Sequence, residues 1–115
     1  MNITEADPWG ILSPQTLYED AVFRLQLDKR HGLLLCTFFR NPTPEEFRNS
    51  YRLAFDCARL KEVTLWLTDA RNITSMLPDN QRWLKQHMAT LFAAGLLCKF
   101  AIVMAPECFV MTDPH

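Results

Sequence analysis

Asn41–Lys61, "NPTPEEFRNSYRLAFDCARLK", decides how the rest of the chain is read. Thr43 stands where an N-cap belongs, Pro44 takes the first helical position, and Glu46 is placed to complete a capping box. Phe47, Tyr51, Ala54, Phe55 and Ala58 then recur at helical intervals, while Arg48, Arg52, Asp56 and Arg59 lie off that stripe. The segment is an amphipathic helix with one face to bury against a sheet.

The flanks supply the sheet. Upstream, Leu33–Phe39, "LLLCTFF", is apolar almost throughout, as a strand buried on both faces must be, and downstream Val63–Thr68 is a second such run. Strand, helix and strand in this order imply a right-handed crossover and a parallel pair. Further on, Pro78 or Asp79 opens a second helix to about Ala94, with Leu84, Met88, Leu91 and Phe92 as its inner stripe and Gly95 placed to end it. Phe100–Ala105, "FAIVMA", is the last strand. Before Leu33, the apolar residues Ala21, Phe23, Leu25 and Leu27 alternate with Val22, Arg24, Gln26 and Asp28, and Asp28–Gly32 is a turn. The expected fold is α/β with a mixed four-stranded sheet and two main helices, order β-β-α-β-α-β. Its N-terminal strand is antiparallel at an edge and the other three are parallel. Residues 1–16, broken by Pro8, Gly10 and Pro14, read as an arm whose Trp9, Ile11 and Leu12 are too apolar for a solvated tail. Residues 17–115 read as a single domain.

Composition narrows the function classes. Apolar residues make up 49% of the 115 and charged residues 22%, which suits a folded domain rather than a disordered one. Lys and Arg number 12 against 13 Asp and Glu, and no basic cluster exceeds Asp28–His31, so a nucleic-acid footprint is disfavoured. No apolar run approaches the roughly 18 residues of a membrane span, and Met1–Glu5 lacks the features of a secretory signal. A cytoplasmic protein without membrane insertion is expected, and the sequons at Asn2 and Asn72 read as chance. Cys36, Cys57, Cys98 and Cys108 lack zinc spacing and read as reduced thiols packed as small hydrophobes. His31, His87 and His115 have no partner at metal-ligand spacing. No metal or cofactor is expected, and with only three glycines a Gly-rich nucleotide loop is excluded.

The suspicious stretch is Leu67–Ile73, "LTDARNI", where a buried strand ends in Asp69 and Arg71. Asp69 is either a ligand-binding or acid/base carboxylate, or an anchor that accepts loop N–H groups or pairs with Arg71. Arg71 is either a clamp for a carboxylate or phosphate, or half of a surface pair. Glu45 and Glu46 are explained by the helix start, Glu107 falls in a loop, and Trp66 and Trp83 read as packing residues before stacking platforms. No nucleophile, base and orienting group converge, so no catalytic residue is assigned. The candidate partner- or ligand-binding residues are Asp69, Arg71, Thr74, Ser75, Asp79 and Arg82.

"VTLWLTDARNITSMLPDNQRWL", Val63–Leu84, and "AAGLLCKFAIVMAPECF", Ala93–Phe109, resemble a bacterial group of small STAS-like (SpoIIAA-like superfamily) proteins. There a strand ending in Asp-x-Arg precedes a helix carrying Trp, and a Lys/Arg-x-Ala-Ile-Val strand follows. The resemblance spans roughly residues 20–109 by pattern rather than by a sharp motif. Two departures stand out. Where antagonist-type STAS domains carry a phosphorylatable Ser or Thr, this chain reads Pro78-Asp79-Asn80-Gln81, so the phosphorylation switch is not carried over. The further C-terminal helix usual in such domains has no counterpart before Thr112–His115.

The resemblance implies a non-enzymatic interaction or regulatory domain presenting residues 69–82 to a protein partner. The alternative is a small-ligand or lipid-binding module, since CRAL-TRIO lipid carriers are grouped near this fold, although two helices and four strands are little chain to enclose a lipid. An enzyme ranks third. Right-handed crossovers between sequential strands place both helices on one sheet face. The other face is apolar too, so either the N-terminal arm or a second copy must cover it, and a homodimer is expected.

Overall fold

The capping box at Thr43 forms as its spacing demands. Thr43 Oγ1 accepts the Glu46 N–H at 3.1 Å, and the Glu46 carboxylate accepts the Thr43 N–H at 2.9 Å. Around that helix start the computed structural model, which describes residues 14–105, runs β1 (Gln15–Glu19), β2 (Phe23–Asp28), β3 (Leu33–Phe38), α1 (Pro44–Leu60), β4 (Leu65–Ala70), α2 (Pro78–Ala93) and β5 (Lys99–Met104). Trp9, Ile11 and Leu12 of the expected arm, with Glu107, Cys108 and His115, lie outside the described residues.

The sheet has five strands, not the four expected, in the order β1-β2-β3-β4-β5. β1 pairs antiparallel outside β2, so the strand expected at the edge is interior. All five β1 side chains are exposed, so β1 carries no alternation for a sequence reading to find. Backbone pairing to β2 holds it, interrupted by an irregularity between Thr16 and Tyr18, with the Tyr18 ring 5.8 Å from that of Phe23. β2 and β3 are antiparallel, while β3, β4 and β5 are parallel. β4 runs two residues later than read, because the Gly32 carbonyl accepts the Thr64 and Leu65 N–H groups at 3.0 Å each and pairing continues through Asp69 and Ala70.

Both helices cover one face. Phe23, Leu25 and Leu27 of β2, Leu34, Cys36 and Phe38 of β3 and Trp66 of β4 share a single core with Phe47, Tyr51 and Phe55 of α1 and Leu84, Met88 and Leu91 of α2. Trp66 sits 6.0 Å from the Tyr51 ring and 5.3 Å from Phe55, and Phe55 sits 5.9 Å from Trp83 of α2. One aromatic chain thus ties the sheet to both helices, and it supplies much of the buried area a domain of this size needs. The opposite face carries Leu33 and Leu35 beside Leu65 and Leu67, all half-buried, and Val103, which is exposed.

Several expectations at single residues fail. Phe92, read as part of the inner stripe of α2, is 43% exposed at the rim of the helix, and before β2 Val22 is buried while Ala21 is exposed, the reverse of the alternation read there. Asp28, on the face read as wetter, is buried, and its carboxylate accepts the His31 N–H at 3.3 Å with His31 Nδ1 at 3.0 Å, a local turn bond that period-two patterning does not see. Cys98 is exposed rather than packed, because it lies in the connection before β5, whereas Cys36 is buried and Cys57 partly so.

Candidate binding surface

Monotonic strand order removes one familiar place for a site. Ligand crevices in open α/β sheets form where the strand order reverses and helices diverge to opposite faces. β3, β4 and β5 follow one another without reversal. Among the described residues, what lies beyond the carboxyl ends of β3 and β4 is a pair of loops, Phe39–Thr43 and Arg71–Leu77.

Asp69 does not lie in the loop. It is the fifth residue of β4, paired with Thr37 and Val103 on the face opposite the helices. Its Oδ1 accepts the Arg71 backbone N–H at 3.1 Å and Nε at 2.9 Å, and Oδ2 accepts Nη2 at 2.8 Å. The fork of Arg71 and its backbone are held together, so both anchoring alternatives occur at once. The hydrogen bond from Arg71 holds the Asp69 carboxyl below its usual range. Asp69 is thus an ionised turn anchor at neutral pH, with its lone pairs engaged.

The loop that follows is pinned from the other side. Asn41 exchanges two hydrogen bonds with Thr74, Nδ2 to Oγ1 at 2.9 Å and the Thr74 N–H to Oδ1 at 2.8 Å. Asn72 Nδ2 donates to the Phe38 carbonyl at 3.2 Å, Gln81 Nε2 donates to the Met76 carbonyl at 3.1 Å, and Ile73 is buried beneath. Arg71, Thr74, Ser75, Asp79 and Arg82 all present exposed side chains, and Arg82 pairs with Asp79.

At the start of α2, Leu77 is the N-cap residue, provides no capping hydrogen bond, and is 54% exposed. Two hollows flank it. One, of about 460 Å³, is walled by Pro42, Phe47, Ile73, Met76 and Pro78. The other, of about 410 Å³, is walled by Glu45, Arg48, Arg52, Asp79 and Asn80. Arg48 Nε donates to the buried Asn80 Oδ1 at 2.8 Å, and the guanidinium carbons of Arg48 and Arg52 each lie 5.7 Å from the Trp83 ring centroid. Both guanidinium groups thus lie in cation–π range of Trp83 and line the hollow.

Of the six candidates, Ser75 and Asp79 line the two hollows, and Thr74 is engaged by Asn41 in holding the loop. Asp69 and Arg71 neutralise each other, and Arg82 is occupied by Asp79. Sequence reasoning did not single out Asn41, Leu77, Arg48 or Arg52. Nothing local marks Asn41, whose partner is 33 residues away. Leu77 carried a signal, being a large apolar residue in an N-cap position that favours Ser, Thr, Asp or Asn.

Among the described residues no three His, Cys, Asp or Glu side chains gather as a metal-binding group, and no helix is long and apolar enough to cross a membrane. Compared with known proteins, the chain matches no family model, no curated protein and no solved structure.

Proposed function

We propose that the chain is a cytoplasmic, non-enzymatic interaction or regulatory domain of STAS-like type that presents Asp69–Arg82 to a protein partner and works as a homodimer. The observation that carries this is the pinned Arg71–Leu77 loop, held by Asn41 and Asn72, with Leu77 exposed between an apolar hollow and an arginine-lined one. A loop fixed before binding loses little entropy on docking, and an apolar knob ringed by polar groups is the arrangement of an interface hot spot. The engaged Asp69 carboxylate fits an anchor better than a proton acceptor. The homodimer reading rests on the half-buried leucines of the second sheet face, which no helix covers among the described residues.

Leu77→Asp is the decisive variant. Asp is a favoured N-cap, so the substitution stabilises α2 by about 1 kcal/mol while placing a charge at the centre of the surface. Affinity capture from the source cell, followed by titration of the captured protein, is expected to show binding to the wild type and to a Lys29→Ala control, and loss with Leu77→Asp and Arg71→Ala. Binding unchanged by both loop substitutions would overturn this choice of surface.

A further inference from the structure

β5 is the last strand in the sheet order, paired with β4 on one side and with no described strand on the other. The Lys99 N–H bonds to the Thr64 carbonyl at 3.2 Å. Backbone groups alternate in direction along a strand, so those of Lys99, Ala101 and Val103 turn toward β4 and those of Phe100, Ile102 and Met104 turn outward. The side chains of these same three residues line a groove of about 500 Å³ under α2, completed by Met76, Met88 and Phe92 among others. Phe92 is 43% exposed, and Phe100, Ile102 and Met104 are half-buried. A strand edge that no described residue pairs and an apolar groove therefore run side by side, served by the same residues.

The charges beside them have one sign. Lys85 is the charged residue on the groove wall, while Lys99, which opens the strand, faces the other side of the sheet at the same edge; both are exposed, and neither is ion-paired among the described residues. Gln81, the polar neighbour, already donates to the Met76 carbonyl.

We infer that the β5 edge and its groove are a docking site for an extended acidic–apolar peptide segment of a partner protein, which joins the sheet as an additional strand. Its backbone pairs with Phe100, Ile102 and Met104, alternate apolar side chains enter the groove with a carboxylate for Lys85, and the intervening side chains, on the far face of the sheet, bring a carboxylate to Lys99. Three methionines on the wall let the groove adapt to differing side chains. An acyl chain would fill the groove but leave the outward N–H and C=O groups of the edge unpaired. A second copy of the same edge would offer Lys85 no carboxylate from its groove lining. The site is separate from the Leu77 surface and shares with residues 69–82 only Met76 and Gln81.

The test is selection of a displayed random octapeptide library on the full chain, then fluorescence-polarisation titration of the enriched peptides. Enrichment of alternating apolar sequences with Asp or Glu is expected. Phe92→Glu and Lys85→Glu should each weaken binding by about tenfold or more, and Lys85→Glu, at an exposed helix position, also serves as a variant that keeps its fold. N-methylation of alternate peptide amides should abolish binding in one register and spare it in the other. The proposal is overturned if no peptide is enriched, if enriched peptides bind both variants as tightly as the wild type, or if the two methylated registers behave alike. Palmitate binding that depends on Phe92 without peptide enrichment would assign the groove to a lipid. An oligomer dissociated by Phe92→Glu, again without enrichment, would assign it to a second copy.

Discussion

Thr68 is fully buried, and its Oγ1 accepts from Tyr51 Oη at 3.2 Å and from Trp66 Nε1 at 3.0 Å. Thr68→Val keeps the shape and strands two buried donors, so it should cost about 2–4 kcal/mol, read as a lower urea midpoint at unchanged slope. Adding Tyr51→Phe removes one stranded donor and should make the double variant less unstable than the sum of the two single changes. Asp69 gives a pH-dependent prediction. Its carboxyl is held below the usual 3.8, chiefly by the hydrogen bond from Arg71. The contribution is therefore fully present above 3.8 and disappears as the pH falls through the lower folded value. The stability gap between wild type and Asp69→Asn should be small, because Arg71 is two-thirds exposed, constant near neutral pH, and closed at pH values below the folded pKa, as denaturant midpoints will measure. The Asp69–Arg71 pair was legible because its partners are two residues apart. The Asn41 clamp on Thr74 was not, since only the tertiary fold brings β3 and β4 side by side.

Both helices end with the same device at the scale of the element. In α2 the Gly95 N–H bonds to the Phe92 carbonyl and the Leu96 N–H to the Leu91 carbonyl, with Gly95 at φ 72°. In α1 the Val63 N–H bonds to the Ala58 carbonyl and the left-handed position, φ 57°, is taken by Glu62. A side chain there is strained and a glycine is not. Glu62→Gly is therefore expected to stabilise the protein by about 0.5–1 kcal/mol, whereas Gly95→Ala should destabilise it although open space surrounds the new methyl group. A rise in melting temperature for the first and a fall for the second would check the pair. These ends also show what sequence can and cannot mark. Gly95 announced the end of α2, and Thr43, Pro44 and Glu46 announced the start of α1, because each acts through local chemistry. Glu62 gave no such sign, since its conformation is imposed by the chain turning into β4. β1 was missed for a related reason. Its five exposed side chains reflect an edge held by backbone bonds, which leave no hydrophobic period.

The whole molecule is a two-layer structure with one sheet face uncovered among the described residues. Register places Leu33 beside Leu65, and Leu35 beside Leu67 and Ala101, with Val103 next along β5. Arg24, Gln26, Thr37, Asp69 and Lys99 surround them on the same face. An apolar centre with a polar rim of mixed charge is the anatomy of a protein interface. Two such faces can stack about 10 Å apart around a two-fold axis, each leucine patch covering the other. The proposed dimer is thus expected to be face to face and distinct from the β5 edge. Sedimentation equilibrium at micromolar concentration should give twice the chain mass for the wild type and for Phe92→Glu, whose side chain lies on the helix-covered side. Leu67→Asp places a carboxylate in the patch without touching the core under the helices, and should give the mass of one chain with circular dichroism unchanged. A wild type that sediments as a single chain would overturn the dimer, and a Leu67→Asp protein that remains dimeric would move its interface away from this face.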